Sequence, residues 1–176
     1  MATTWKLDPT HSEVAFKVKH LVITTVTGYF RSFDGTVVTE SEDDFTTGKI
    51  DFTIDTSSID TNQSQRDEHL KSADFFNADQ HPQIVFKSTS IEEKGSDEFL
   101  LTGDLTIGET TRPVKFNVEF GGTVTDPYGN FKAGFEVTGK ISRKEFGLTW
   151  SAVTEAGAVV VSDDVKLQAS LQFVKQ

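Results

Sequence analysis

The chain has 176 residues, no cysteine and a formal net charge of -10. Its length fits about one domain with a core that needs no staples, and the missing thiols exclude disulfides, thiolate metal sites and cysteine nucleophiles. The acidic balance disfavours non-specific binding to nucleic acid or to an anionic membrane surface.

Composition points to β structure: 15 phenylalanines, 17 valines and 23 threonines are strong strand formers. Along the chain, apolar residues alternate with polar ones at a period of two. The opening row is Val14, Phe16, Val18, His20 and Val22, with Lys17 and Lys19 on the other face. Asp34-Gly35 reads as a turn, and the acidic run Glu40–Asp44 as a solvated loop. Ile50, Phe52 and Ile54 follow, then the segment from Thr61 to Asn77, which breaks the strand rhythm. There Asn62 is placed to cap a helix with Gln65 reaching back, which predicts one or two short helices near residues 62–76.

Strand rhythm returns with Ile84 and Phe86, then Phe99 to Ile107, Val114 to Phe120, Phe131 to Ile141 and Val165 to Phe173. Lys94–Asp97 and Asp126–Asn130 carry turn chemistry between rows. The connections are too short for crossover helices, so the strands pair antiparallel. About eight long strands must manage their edges, and closing into an elongated antiparallel eight-stranded barrel does so. A 13-residue strand at a tilt of about 40° spans on the order of 33 Å of barrel axis. An interior that long and apolar is either filled by side chains or open to a long, thin ligand.

The opening Trp5-Lys6-Leu7-Asp8-Pro9-Thr10-His11-Ser12 resembles the start of the YceI-like family. The segments Ser58–Thr61, Arg66–Phe76, Pro82–Ser88, Gly103–Ile107, Thr111–Val114 and Gly139–Arg143 with Phe146-Gly147 continue that resemblance in order over nearly the whole chain. The resemblance implies a lipocalin-like barrel occupying residues 1–176 as one lipid-binding domain. It also implies a pore that holds an isoprenoid lipid or another long-chain amphiphile, with no chemistry assigned. Two departures, Glu109 after Gly108 and Ser162-Asp163 near the C-terminus, put only local turn geometry in doubt.

Within that frame, Phe16, Phe86, Phe116 and Phe135 either fill the barrel or line a tunnel. Gly103, Ala133, Gly139 and Ala169 share their inward rows, and small residues there are expected to leave room. Val18, Phe30, Leu70 and Phe75 complete the expected lining, while Phe146 and Trp150 lie on a segment able to close one end. His20 continues an inward row and is a candidate head-group contact, the alternative being a buried histidine with a backbone partner. Arg66, Asp67 and His69 form a polar cluster with two readings. One is a head-group site at the barrel mouth, for which a planar guanidinium suits phosphate. The other is an ion pair and cap that pins the helix to the rim.

The four histidines have no metal-ligand spacing, and no nucleophile elbow or nucleotide-binding glycine pattern occurs. The expectation is therefore a non-enzyme without metal or cofactor. It binds a polyprenyl, polyprenyl phosphate or quinone-type lipid for storage, sequestration or transport. The alternatives are a stress-related barrel for a fatty acid or fatty amide, and a solid barrel with no ligand. A homodimer is compatible with the sequence, and stable membrane insertion is not expected, since no apolar run approaches roughly 20 residues. The N-terminus has neither a basic nor an apolar leader region, so cytoplasmic residence is expected of the chain as it stands, or periplasmic residence if a leader was removed.

Overall fold

The computed structural model describes residues 2–20, 23–73, 75–148 and 162–176, His20 by its backbone alone. Eleven strand segments run in chain order: β1 Thr3–Leu7, β2 Glu13–His20, β3 Thr24–Phe30, β4 Phe33–Thr39, β5 Lys49–Asp55, β6 Ile59–Asp60, β7 Gln83–Gly95, β8 Glu98–Ile107, β9 Thr110–Thr125, β10 Phe131–Ser142 and β11 Asp164–Lys175. One helix, α1 Ser64–Lys71, lies between β6 and β7.

Six of these segments are halves of three kinked strands. β1 and β2 both pair with β11, β3 pairs with β2 and β6, and β4 pairs with β1 and β5. Counted this way the wall has eight strands, each beside its neighbours in sequence. β11 returns to β1, with Lys6 opposite Val174, and this closes the barrel. Closure leaves no full-length edge to template aggregation. Among the described residues no helix is long and apolar enough to cross a membrane.

The kinks have local causes. Pro9 opens a one-turn 3-10 helix, Pro9–His11, and the Asp8 carboxylate accepts the Thr10 N–H at 3.1 Å. Proline has no N–H to give the ladder, so a strand interrupts there at little cost. The neighbouring breaks at Arg31-Ser32 and Thr56–Ser58 are bridged by backbone bonds from Arg31 N–H to Ser58 (3.1 Å) and Asp55 N–H to Ser32 (2.9 Å). A bulge marks β9–β10: Gly134 opposes Gly122 and Phe135 opposes Phe120, leaving Gly121 as the extra residue.

The structure corrects two local expectations. Asp34-Gly35 is no turn but lies inside β4, with Gly35 opposite Phe52. Asn62 does not cap α1. It takes a left-handed backbone (φ 66°), and Gln63 is the capping residue without a side-chain bond.

The core has two parts. At one end Trp5, Leu7, Val37, Ala133 and Phe173 are buried, with Phe45, Phe120, Phe131 and Phe135 packed against them. Towards the helix-bearing end, Phe30, Ile59, Ile84, Phe86, Leu101, Leu105, Ile107 and Ile141 are buried, and Leu70, Phe75 and Phe76 pack onto them from the helix and the segment after it.

Candidate functional site: an apolar chamber inside the barrel

Between these two clusters lies a cavity of about 690 Å³. Pockets for small molecules run to roughly 300–1,000 Å³, so the chamber is of ligand size. Every wall strand contributes inward-facing residues to it, among them Phe16 and Val18 of β2, Phe52 of β5, Phe86 of β7, Leu101 of β8, Phe116 of β9, Val137 of β10 and Leu167 of β11.

The far end of the chamber is an aromatic floor. Phe45 stands 5.1 Å from Phe135 and 5.2 Å from Phe120, ring centre to ring centre. Trp5 closes against Phe45 at 5.3 Å and Phe131 at 5.9 Å. Trp5 is fully buried, and its indole N–H donates to the Thr39 hydroxyl at 3.3 Å. Tilted and edge-to-face pairs at these distances are the favoured aromatic arrangement, so the floor is a packed aromatic cluster.

The opposite end carries the polar groups. Lys19, Thr61, Gln63, Gln65, Arg66 and His69 border the chamber there. Thr61 is the knot of this rim. Its N–H and hydroxyl both donate to Asp67 Oδ1, at 2.8 and 2.5 Å. Arg66 Nε donates to the Thr61 hydroxyl at 2.7 Å, and Nη2 donates to the Thr61 carbonyl. Arg66 and Asp67 thus tie α1 to the end of β6. The His69 ring lies edge-on to Phe75 at 5.2 Å.

Of the sequence-derived candidates, Phe16, Val18, Phe30, Arg66, His69, Leu70, Phe75, Phe86, Phe116 and Phe135 all border the chamber. Phe135 belongs to its floor. Phe146 is buried in the adjoining core, outside the chamber lining. The His20 side chain and Trp150 lie outside the described residues. Of the small inward residues, Gly103 and Gly139 do not widen the lumen, because phenylalanine rings cover them, whereas Ala169 borders the chamber.

Arg143 was missed by the sequence reading. It is buried in the chamber wall, where Nε donates to the Ser162 carbonyl at 2.9 Å and Nη1 to the Leu148 carbonyl at 2.5 Å. Burial pulls its pKa below the usual guanidinium range, and the charge of Asp163 opposes that shift. The signal was present, since Arg143 continues the inward parity of Gly139 and Ile141. Phe45, Phe52 and Phe76 were also missed. Phe45 and Phe76 sit in irregular chain, where period two is silent.

A closed, up-and-down antiparallel barrel with a blind apolar chamber and a polar rim is the architecture of a binding protein. The sequence matches the family model described as YceI-like domain over residues 5–173, and the chain belongs to that family. Protein YceI of Shigella flexneri is 40% identical over 178 residues, which cover 100% of this chain and 89% of that protein. BcnA of Burkholderia cenocepacia shares the fold with a TM-score of 0.82 at 23% identity, over 94% of this chain and 98% of the other. A domain from Saccharophagus degradans, described as polyisoprenoid binding, shares it with a TM-score of 0.68 at 15% identity, over 98% of each chain.

Proposed function

We propose that this protein is a non-catalytic carrier that holds a long-chain isoprenoid lipid, of the polyprenyl, polyprenyl phosphate or quinone type, in the barrel chamber for storage, sequestration or transport. The observation that carries this reading is the chamber itself: about 690 Å³, walled mostly by hydrocarbon side chains, with its polar lining residues gathered at one rim apart from Arg143 and Gln168. Apolar burial supplies the affinity, at about 0.8 kcal/mol per methylene removed from water. Polar rim groups orient the ligand more than they hold it. The polyisoprenoid-binding description of the Saccharophagus domain supports the ligand class through a shared fold.

Two measurements test the proposal. Lipid extracted from protein purified out of native cells and read by mass spectrometry should contain an isoprenoid. In titrations, octaprenyl-sized lipids should bind at micromolar affinity or better and retinol-sized ones more weakly. Equal affinity for both sizes, or extraction of a fatty acid or fatty amide instead, sinks the isoprenoid reading.

A further inference from the structure

Four glycines of the barrel wall face inward beneath phenylalanine rings. A side-chain carbon built on Gly28 would stand 2.2 Å from Phe16 Cζ, and one on Gly139 would stand 2.4 Å from Phe116 Cδ1. On Gly35 it would meet Phe52 Cδ2 at 2.7 Å, and on Gly103 Phe86 Cζ at 2.5 Å. These distances are shorter than van der Waals contact, so each ring occupies the space that any other residue would fill. Three of the pairs are direct cross-strand partners, Phe16 with Gly28, Phe52 with Gly35 and Phe116 with Gly139. The fourth is diagonal, since Phe86 opposes Leu105, two residues from Gly103.

The consequence is directional. A ring that covers a glycine leans sideways along the wall instead of pointing at the barrel axis. Gly28, Phe16, Leu167, Gly139 and Phe116 follow one another at a single level across five strands, so each glycine there lies beside a phenylalanine whose ring takes up the room it leaves. A methyl group at Gly28 or Gly139 leaves the ring no place on the wall. Both rings border the chamber, which is the open volume beside them among the described residues.

We infer that these phenylalanine–glycine pairs set the bore of the chamber, and that the pairs at Gly28 and Gly139 decide whether a methyl-branched chain passes that level. The inference rests on the proposed lipid-binding function and adds the feature that separates branched prenyl chains from straight acyl chains. Gly28 and Gly139 are the positions to vary. At Gly103 the Lys87 carbonyl oxygen also lies 2.5 Å from the added carbon, so alanine there strains backbone. At Gly28 the three nearest atoms all belong to the Phe16 ring, and at Gly139 the nearest backbone atom, the Lys115 carbonyl oxygen, is 3.4 Å away.

The experiment titrates geranylgeraniol against hexadecanol, which share a main-chain length and differ in methyl branches and double bonds. Phytanol, which carries the branches without the double bonds, is the control that assigns any difference to branching. The proteins are the wild type, Gly28→Ala, Gly139→Ala and Gly139→Ala with Phe116→Leu. A misfit of one methyl group in an apolar pocket is worth tenfold or more, so each single variant should lose geranylgeraniol affinity by about that factor and hexadecanol affinity by less than roughly threefold. Phe116→Leu should restore geranylgeraniol binding to Gly139→Ala. Equal losses for both alcohols, or no loss for either, overturn the inference. If Gly139→Ala does not fold, Gly28→Ala decides. If the wild type binds neither alcohol nor an octaprenyl-sized lipid, the proposed function fails by itself. A crystal structure of either alanine variant then still decides the bore: a ring standing in the chamber upholds the inference, and a ring still on the wall overturns it.

Discussion

Lys132 is nearly buried although it lies within β10, because two carboxylates meet it. Its ammonium is 2.8 Å from Asp8 and 3.5 Å from Asp126. Asp8 accepts also from Thr10 N–H (3.1 Å) and the Thr10 hydroxyl (2.7 Å) and contacts His11 Nδ1 (2.8 Å). The Lys132 hydrogen bond is the largest cause that holds the Asp8 carboxyl far below the ordinary carboxylate range, against the opposing effect of burial. The sign follows from linkage. A carboxyl lowered in the folded state contributes stability that is present above its unfolded value, near 3.8, and is lost as pH falls towards the folded value. Asp8→Asn should therefore lower stability near neutral pH and flatten the profile on the acid side of about pH 4. Urea midpoints measured stepwise from pH 6 to 2 (roughly the window over which a paired carboxylate titrates) check this. Parallel profiles for wild type and variant would exclude the Asp8–Lys132 bond as the source of acid sensitivity. The pair closes the first strand onto a hairpin 124 residues away, which is why no local pattern in the sequence announces it.

At the scale of elements, α1 shows what a short helix needs. Eight residues are too few to hold a helix alone in water. Its N-terminus, however, lacks the expected asparagine cap. Instead Arg66 and Asp67 reach back to Thr61, the last residue before the left-handed Asn62. This geometry favours the anchoring role of Arg66 over a head-group role. Arg66→Ala should cost about 1 kcal/mol of stability, the typical worth of such a hydrogen bond. It should weaken a prenyl diphosphate and its head-group-free alcohol by the same factor. A loss confined to the diphosphate would restore the head-group role. The strands were legible because a half-buried strand writes its two faces at period two. The Asp34-Gly35 misreading has the same physical origin as the wall glycines. Glycine serves a turn and a ring-covered strand position equally well, and only the partner strand, here Phe52, distinguishes them.

For the whole molecule the decisive feature is that Trp5, Phe45, Phe120 and Phe135 plug one end of the barrel, residues the sequence did not single out for closure. The rows that line the chamber and the residues that plug it are written in the same apolar alphabet. Phe116 and Phe135 sit on adjacent strands with the same parity, yet one is wall and the other floor. A blind chamber imposes a length limit that an open tunnel would not. Affinity should rise with each added isoprene unit while the growing chain still finds apolar wall, and level off once the tail reaches Phe135 and further units must stay in water at the rim. The floor has no spare volume, since Phe135 touches Phe45, Phe120 and Phe173 with ring centres 5.1, 5.3 and 6.1 Å away. Phe135→Trp therefore overfills it, at a stability cost of about 1–3 kcal/mol, and pushes aromatic volume into the chamber. In titrations with a ladder of prenols the variant should level off at a shorter chain than the wild type, while the shortest prenols bind both proteins equally. An unchanged plateau in a folded Phe135→Trp protein would mean that the tail never reaches the floor and that chain length is limited nearer the rim.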